Sequence, residues 1–529
     1  MDGTGESRRG EGERVSETAQ HSKTEHSVLA RTATGMGWIV GWRMATRLLG
    51  LVNTLVLVRL LAPADFGLVA LGTSFVIAVD TFSTLGTEEA MVRETAPSAA
   101  MYDTAFTMTA LRSLATALLI GLAALPVAQF FGEPRLAHVL WALALGAVVD
   151  GMGSIGVVDF RRDMAFQKEF VLQILPRLLS ISVTIAAALT WHSYWALVAG
   201  ILAGRIGRTV FSYRMHPWRP RFTLVAWRAL IGFSLWSWAV SMVELVRDRM
   251  DQFVIGRVMN PTAVGVYAIG EEIAALPTSE IVLPLCRACF SGFSAARRNG
   301  QGMAEIFLRP VALTFLVTLP AGLGISLVAD PLVRLVVGVK WVAAIPVIQV
   351  LGVMGALAVF GYVASTLLSA HALLRQRWGI TLCCVGLRLA LLIPLIQHFG
   401  LPGAALGTLC GMLLEHGLFM VVVLRNFDLR LGALVGRLWR TIAAATAMAA
   451  VLVGSGLGWT QASGDAGRMV AELALAVLLG AASYAGVLLV LWWACGRPEG
   501  AETDLLGLLG RALRGLIGRV RRRPARAVP

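Results

Sequence analysis

Apolar runs long enough to cross a lipid bilayer recur in this chain from residue 36 to residue 493. A helix needs about 20 mostly apolar residues to span about 30 Å of hydrocarbon. The pattern predicts about fourteen such helices, joined by short loops. Their predicted cores are 36–60, 66–86, 105–130, 136–157, 170–190, 193–212, 229–256, 263–291, 306–328, 342–368, 378–397, 402–424, 437–459 and 469–493. The sequence therefore predicts an all-α polytopic membrane protein, with no soluble catalytic domain between the spans.

Composition and charge agree with this pattern. Hydrophobic residues make up 57% of the chain and charged residues 15%, whereas soluble domains have about 45–50% and about 25%. The net charge of +14 is concentrated in the C-terminal tail and in loops predicted to lie on one side of the membrane. This distribution indicates membrane orientation rather than nucleic-acid binding, and it predicts that both termini are cytoplasmic.

The pattern divides the chain into five predicted parts. Two six-helix halves, 34–215 and 216–425, are followed by two additional transmembrane helices at 426–495. Residues 1–33 are polar and lack the apolar core of a cleavable signal, which predicts a disordered cytoplasmic tail. Residues 496–529 form a basic cytoplasmic tail, whose leucines at helical spacing predict an amphipathic helix at the lipid surface.

No motif for catalysis, a cofactor or a metal site is found. Cys286 and Cys289 form a CxxC, but no second pair or nearby histidine completes a zinc-type ligand set, so we interpret them as core residues. GMGSIG at 151–156 matches the dinucleotide pattern but ends a membrane span. Small residues at such a place favour close helix packing.

The chain contains an internal repeat. RLLAPADFGLVALG at 59–72 matches RVMNPTAVGVYAIG at 257–270, with arginine, proline, alanine and two glycines at one offset of 198 residues. Asn53 falls opposite Asp251 at the same offset. An offset of six spans gives both copies the same direction across the membrane, which is typical of transporters with two parallel halves around a central cavity.

The stretch ELVRDRMDQFVIG at 244–256 carries five charges inside a predicted span. At helical spacing, Glu244, Arg247, Asp248 and Asp251 share one sector, and Arg247 is placed to pair with Asp251 or Glu244. A charge near the bilayer centre costs at least about 2.5–3.5 kcal/mol, so such residues face protein or water. The sector remains negative and needs a cation, a proton or an arginine from another helix. Candidates for that arginine are Arg43, Arg47, Arg112, Arg205 and Arg388.

Several segments resemble bacterial polysaccharide flippases of the multidrug/oligosaccharidyl-lipid/polysaccharide exporter superfamily. They are LVRLLAPADFG in the first two spans, MDQFVIGRVMNPTAVGVYAIGEEIAALP, and YWALVAG at 194–200 after the basic loop RRDMAF. The resemblance covers roughly residues 30–425. It implies transport of an undecaprenyl-diphosphate-linked oligosaccharide from the inner to the outer leaflet of the bacterial inner membrane. The chain departs from many members at Gly270-Glu271-Glu272.

These considerations predict two sets of site residues. Arg43, Arg47 and Arg249 are predicted to bind the diphosphate head group, because guanidinium groups bind phosphate oxygens in pairs. Predicted ion-coupling residues are Glu244, Asp251, Glu271 and Glu272. The alternatives are that Arg43 extends to the interface, and that the 244–251 cluster is a structural ion-pair network.

The predicted function is a non-enzymatic flippase for surface polysaccharide biosynthesis, working by alternating access coupled to an ion gradient. Predicted partners are the lipid-linked oligosaccharide, membrane lipids and a polysaccharide polymerase or export complex. Three alternatives stay open: a multidrug/cation antiporter of the same superfamily, a membrane-embedded glycosyltransferase or polymerase, and a lipid-II flippase for peptidoglycan.

Overall fold

The computed structural model describes residues 41, 45–83, 87–94, 96–163, 165–230, 235–299, 302–427, 429–461, 465–507 and 510. Helices dominate these ranges, and no strand occurs within them. Contacts divide the chain into two compact units. Unit 1 comprises Met1–Leu61 and Gly72–Trp238, and unit 2 comprises Ala62–Leu71 and Ala239–Pro529.

Unit 1 consists of helices that are joined by short non-helical segments. Its helices are α1 (45–60), the later part of α2 (Pro63–Ser83), α3 (Thr87–Arg93), α4 (Ala99–Phe131), α5 (Arg135–Gly151), α6 (Asp159–Arg162), α7 (Phe166–Trp191), α8 (Trp195–Met215) and α9 (Trp227–Leu230). A 3-10 turn, Ile155–Val158, separates α5 from α6.

Unit 2 holds the start of α2 and the rest of the chain. Its further helices are α10 (Leu235–Val258, from Ala239 on), α11 (Pro261–Ala274), α12 (Leu283–Arg298), α13 (Met303–Leu327), α14 (Ala329–Leu332), α15 (Ile345–Ala370), α16 (Leu374–Phe399), α17 (Leu401–Asn426), α18 (Leu431–Gly454), α19 (Ala466–Ala494) and α20 (501–507). Two π-helical turns, Thr278–Val282 and Val333–Val337, and a 3-10 helix, Val339–Ala344, lie between them.

The chain is an all-α polytopic membrane protein, as the sequence predicted. Among the described helices, eight are long and apolar enough to cross a membrane, or up to ten if each of two bent pairs is one span. The bent pairs are Arg135–Gly151 with Ile155–Arg162, at 71°, and Pro261–Ala274 with Thr278–Arg298, at 48°. A helix overlaps each predicted core, but the number of about fourteen spans stays a prediction.

The GMGSIG segment forms the break between α5 and α6. A Cβ atom added to Gly151 would lie 2.2 Å from the Ser113 Cβ, and one added to Gly156 would lie 2.1 Å from the His216 Nδ1. The glycines therefore permit close packing within unit 1.

The last two long helices pack against α13 within unit 2. Tyr484 on α19 donates a hydrogen bond to the Leu316 carbonyl at 2.6 Å. In the helix that follows, Glu502 is 4% exposed and accepts two hydrogen bonds from the guanidinium group of Arg440, at 2.6 and 3.1 Å. The start of the basic tail is thus tied to α18 by a buried ion pair. The lipid-surface role of the tail stays a prediction, and 511–529 lie outside the described residues.

The repeat copies begin two helices in the same way. Pro63 and Pro261 are each the first helical residue, where proline is favoured because its missing N–H has no partner to lose. The start of α11 is also capped by Asn260, whose side chain accepts a hydrogen bond from the Ala263 amide at 2.9 Å.

These two helix starts touch each other reciprocally within unit 2. A Cβ atom on Gly67 would lie 1.6 Å from the Pro261 carbonyl oxygen, and one on Gly265 would lie 2.0 Å from the Pro63 carbonyl oxygen. Glycine at each position therefore allows the two backbones to approach. The equivalence of the two contacts matches the equivalence of the two sequence segments and supports the repeat.

The reciprocal contact makes a stability prediction. Gly67→Ala and Gly265→Ala should each lower the melting temperature of the purified protein, because overpacking against main chain costs about 1–3 kcal/mol. The control is Gly417→Ala in α17, where an added Cβ atom meets nothing within 4 Å. It should leave the melting temperature unchanged or raise it, since alanine favours helix. Two alanine variants that melt with the wild type would contradict the contact.

Candidate functional site

A polar cavity of about 310 Å³ lies inside unit 2, between α10, α11, α15, α16 and α17. Its charged or ionisable lining residues are Arg247, Asp248, Asp251, Glu271, Tyr362, Arg377, Arg388, Glu415 and His416. The charged stretch of α10 thus faces a cavity, as its helical sector predicted. Every charge on this wall has to be compensated by protein or by water, because burial in a low dielectric is costly.

The most deeply buried ion pair at this cavity joins α10 to α16. Asp251, 5% exposed, accepts a hydrogen bond from the guanidinium group of Arg388 at its Oδ2 atom. The Tyr267 hydroxyl donates to the same oxygen at 3.0 Å, and the Thr408 Oγ1 atom lies 2.9 Å from it. Three helices besides α10 therefore converge on one carboxylate oxygen.

A second pair lies further along the cavity. The Nε of Arg247 donates to Asp248 at 2.9 Å, and its Nη1 atom lies 3.8 Å from the Glu415 carboxylate. Glu415 also accepts a hydrogen bond from the Thr381 hydroxyl at 2.7 Å. The buried Glu415 carboxylate is thus satisfied by α16 and is approached by the arginine from α10.

A third pair is more exposed. Arg377, in the first turn of α16, donates to Glu244 on α10 and, at 3.0 Å, to the Ser369 hydroxyl. The side chains of Arg377 and Glu244 are 25% and 35% exposed. Solvent screening therefore weakens this pair relative to the buried one.

Three buried polar atoms beside the cavity have no hydrogen-bond partner among the described residues. They are the Oδ1 atom of Asp251, the Nε of Arg388 and the Nδ1 atom of His416. His416 is accommodated by Gly361, where an added Cβ atom would lie 1.8 Å from the imidazole ring. Because buried polar groups are nearly always satisfied, such a set indicates a place where water, a proton or a ligand is received.

The two predicted head-group arginines that the structure describes, Arg47 and Arg249, do not line this cavity. Arg43 lies outside the described residues. Arg47 is half-buried on α1 in unit 1. Arg249 is half-buried on α10, but it is not among the residues that line the cavity. Arg377, which was not predicted as a site residue, lines the cavity.

The predicted ion-coupling carboxylates occupy different places. Asp251 and Glu271 line the cavity, Glu244 pairs with lining Arg377, and half-buried Glu272 is not among the lining residues. The predicted pairing of Arg247 with Asp251 or Glu244 is wrong, because α16 supplies an arginine to each of these carboxylates.

Unit 1 has a cavity of its own, of about 260 Å³. The charged residues along it are Asp80, Arg112, Asp150, Arg161, Glu169 and Arg208. Arg112 donates to Asp80 at 2.6 Å. The side-chain hydroxyls of Thr109 and Ser154 are buried without a hydrogen-bond partner in the described part of the chain. This unit therefore also encloses a polar space.

The ion pairs of unit 2 should contribute unequally to the free energy of unfolding. Asp251→Asn should lower the free energy of unfolding by about 3–5 kcal/mol, because it leaves Arg388 buried without its counter-charge. The control, Glu244→Gln, should cost less than about 1 kcal/mol, because its pair is partly solvated. Denaturant unfolding in mixed micelles measures both. In the double variant Asp251→Asn/Arg388→Met, where neither charge of this pair remains, most of the loss should be recovered.

Comparison with known proteins gives a consistent set of similarities. The family described as polysaccharide biosynthesis protein matches residues 56–346, more than half of the chain. Lipopolysaccharide biosynthesis protein WzxC of Escherichia coli (strain K12) is 23% identical over 397 residues, which is 73% of this chain and 79% of WzxC. Succinoglycan biosynthesis transport protein ExoT of Rhizobium meliloti (strain 1021) is 23% identical over 328 residues, 61% of this chain and 66% of ExoT.

Among solved structures, lipid II flippase MurJ in an inward closed conformation superposes with a TM-score of 0.70. The match covers 87% of this chain and 100% of that one at 13% sequence identity, so it shows a shared fold. From the extent of the family match, the chain belongs to the polysaccharide biosynthesis protein family.

Proposed function

We propose that this chain is a flippase that moves undecaprenyl-diphosphate-linked oligosaccharide units across the bacterial inner membrane for surface polysaccharide biosynthesis. The observation that carries the proposal is the convergence of Arg247, Arg377 and Arg388 on one cavity inside a unit of membrane helices. Burying three guanidinium groups at this place costs free energy of hydration unless they pair with anions. A diphosphate between a lipid and a sugar is an anion that must cross the hydrocarbon.

The existing pairs suit such a substrate. Each of the three arginines is matched by a carboxylate: Glu244 for Arg377, Asp251 for Arg388, and Asp248 with Glu415 for Arg247. Phosphate oxygens make the same charge-assisted hydrogen bonds, often in pairs. A diphosphate can therefore take the place of the partly exposed Glu244 beside Arg377 without leaving that guanidinium group uncompensated. The more exposed Arg377 pair is the one that exchanges most readily.

The size of the cavity also supports the proposal. Its volume of about 310 Å³ is at the lower end of the range for small-molecule sites, about 300–1,000 Å³. It accommodates a diphosphate with part of the first sugar, while the polyprenyl tail stays in the bilayer. Arg43, Arg47 and Arg249 are proposed as additional head-group ligands along the path.

The names of similar proteins support transport rather than catalysis. ExoT is a succinoglycan biosynthesis transport protein, and MurJ, which shares the fold, is a lipid II flippase. A repeat of two parallel halves suits alternating access, in which the cavity opens to one side at a time. The chain delivers its substrate to a polysaccharide polymerase or export complex on the outer side.

Among the predicted coupling carboxylates, we assign ion coupling to Glu271. It lines the cavity, and within the described residues it takes part in no ion pair. Glu244 and Asp251 are each compensated by an arginine, and Glu272 supports coupling from outside the cavity lining. Glu271→Gln should therefore reduce transport driven by an ion gradient more than it reduces substrate binding.

The test uses a bacterial host from which the gene is deleted. We expect lipid-linked oligosaccharide to accumulate in its membranes and surface polysaccharide to be lost, both measured by extraction and mass spectrometry. Wild-type protein should restore export, whereas Arg377→Gln and Arg247→Gln should restore less than about a tenth of it, since each removes a charge-assisted contact worth about 1.5–3 kcal/mol. Unchanged polysaccharide with increased drug susceptibility would instead identify a multidrug exporter.

A matched control separates charge at the site from charge in general. Arg375→Gln removes an exposed arginine two positions from Arg377 on the same helix. It should restore export fully at equal protein level. Equal defects in the two variants would remove the argument for Arg377 as a ligand.

The proposed orientation puts both termini in the cytoplasm. Alkaline phosphatase, which is active only outside the cytoplasm, should be inactive when fused after residue 507, and green fluorescent protein at the same place should fluoresce. The basic loops of the chain are the physical reason, because positively charged loops are retained inside. Active phosphatase at this site would reverse the orientation.

A further inference from the structure

The Asp251 pair has more oxygen ligands than one ion pair needs. Besides Asp251, the guanidinium group of Arg388 approaches the Thr408 hydroxyl at 3.0 Å and the main-chain carbonyl of Arg247 at 3.4 Å. The Tyr267 hydroxyl lies 2.9 Å from the Thr408 hydroxyl. These atoms, with both carboxylate oxygens of Asp251, form what we call the oxygen cluster. It is contributed by three helices, α10, α11 and α17.

Such a collection is a cation site by its chemistry. A carboxylate, hydroxyls and a main-chain carbonyl are the hard oxygen ligands that bind alkali and alkaline-earth cations in proteins and transporters. One carboxylate oxygen, the Oδ1 atom of Asp251, is buried and has no hydrogen-bond partner among the described residues. The cluster thus has a carboxylate oxygen left for a further contact, on a residue that lines the cavity.

The stem of Arg388 is specifically accommodated. Gly411 on α17 lies against it, and a Cβ atom at that position would be 2.7 Å from the Arg388 Cδ. The guanidinium group reaches the oxygen cluster along this glycine surface. The end of the side chain lies among the oxygen atoms of the cluster.

We propose that Arg388 is a tethered cation that occupies a monovalent-cation site, so that Asp251 needs no Na⁺ or K⁺ for its compensation. The inference deepens the ion-coupling part of the proposed function, because it removes Asp251 from the residues that exchange an ion. Removal of the guanidinium group should expose a site that binds an alkali cation.

The experiment measures cation binding through stability. Any ligand that binds the folded state alone raises its melting temperature. Purified wild type, Arg388→Ala, Arg388→Lys and the double variant Arg388→Ala/Asp251→Asn are melted in lipid nanodiscs. Each is measured in NaCl, KCl and choline chloride at equal ionic strength, so that general screening is constant.

We expect the melting temperature of the wild type to be the same in all three salts, because its side chain supplies the cation. The melting temperature of Arg388→Lys should be independent of the salt for the same reason. Arg388→Ala should be destabilised in choline and should gain several degrees in NaCl or KCl. The double variant should lose that gain, since it lacks the carboxylate. Arg388→Gln, which keeps side-chain bulk without charge, gives the same comparison where the alanine variant does not fold.

Two results would overturn the proposal. One is a wild type that melts higher in NaCl or KCl than in choline and loses this difference in Asp251→Asn. The other is an Arg388→Ala or Arg388→Gln protein that folds and melts identically in every salt. Neither measurement uses the lipid-linked oligosaccharide, so failure here is distinguishable from failure of the flippase proposal in the deletion host.

Discussion

The cost of placing charge in a low-dielectric interior governs unit 2. Helix α10 carries Asp251 into the buried region, and an unpaired carboxylate there would lose several kilocalories per mole of hydration. Arg388 meets that requirement from α16, while Tyr267 and Thr408 fix the position of the accepting oxygen. The relative placement of four helices is therefore constrained by one carboxylate.

The cost of burying charge also determines how charges are arranged along the cavity. Each lining arginine is balanced by an acid, so the cavity is strongly polar without a large net charge on any one wall. Pairs that differ in exposure differ in how easily they exchange partners, from the buried Arg388 pair to the partly solvated Arg377 pair. A graded set of this kind combines a fixed structural anchor with a contact that a passing anion can take over.

The fold was largely predictable from the sequence, because membrane spans depend on local composition. Apolar runs of the required length predicted helices at the observed places, and the family resemblance agreed with the later match to the polysaccharide biosynthesis family. The two sharp bends were less accessible to this approach. A hydropathy average does not register a break such as the one between Gly151 and Ile155, where apolar residues continue through it.

The site was predicted only in part. Helical spacing identified Glu244, Arg247 and Asp251 as one charged sector and showed that it needed partners. It could not select them, because Asp251 and Arg388 are 137 residues apart and meet only through tertiary packing. Arg377 was overlooked for a related reason: a basic residue near a helix end has an adequate explanation in membrane orientation, and nothing local indicates that it turns toward Glu244.

The paired glycines at the starts of α2 and α11 limit how far the two repeat copies can diverge. The copies differ at most positions, yet Gly67 and Gly265 each lie against the main chain of the other segment. A residue can be replaced by one with a smaller side chain to make room for a neighbour, but the peptide carbonyl group is the same in every residue. A larger residue at either glycine would overlap the facing main chain, and no substitution of the facing residue would remove that overlap. Compensating pairs of substitutions, which are possible at ordinary side-chain contacts, are therefore not possible at these two positions. Contact with the main chain therefore requires glycine at this position in both copies of the repeat.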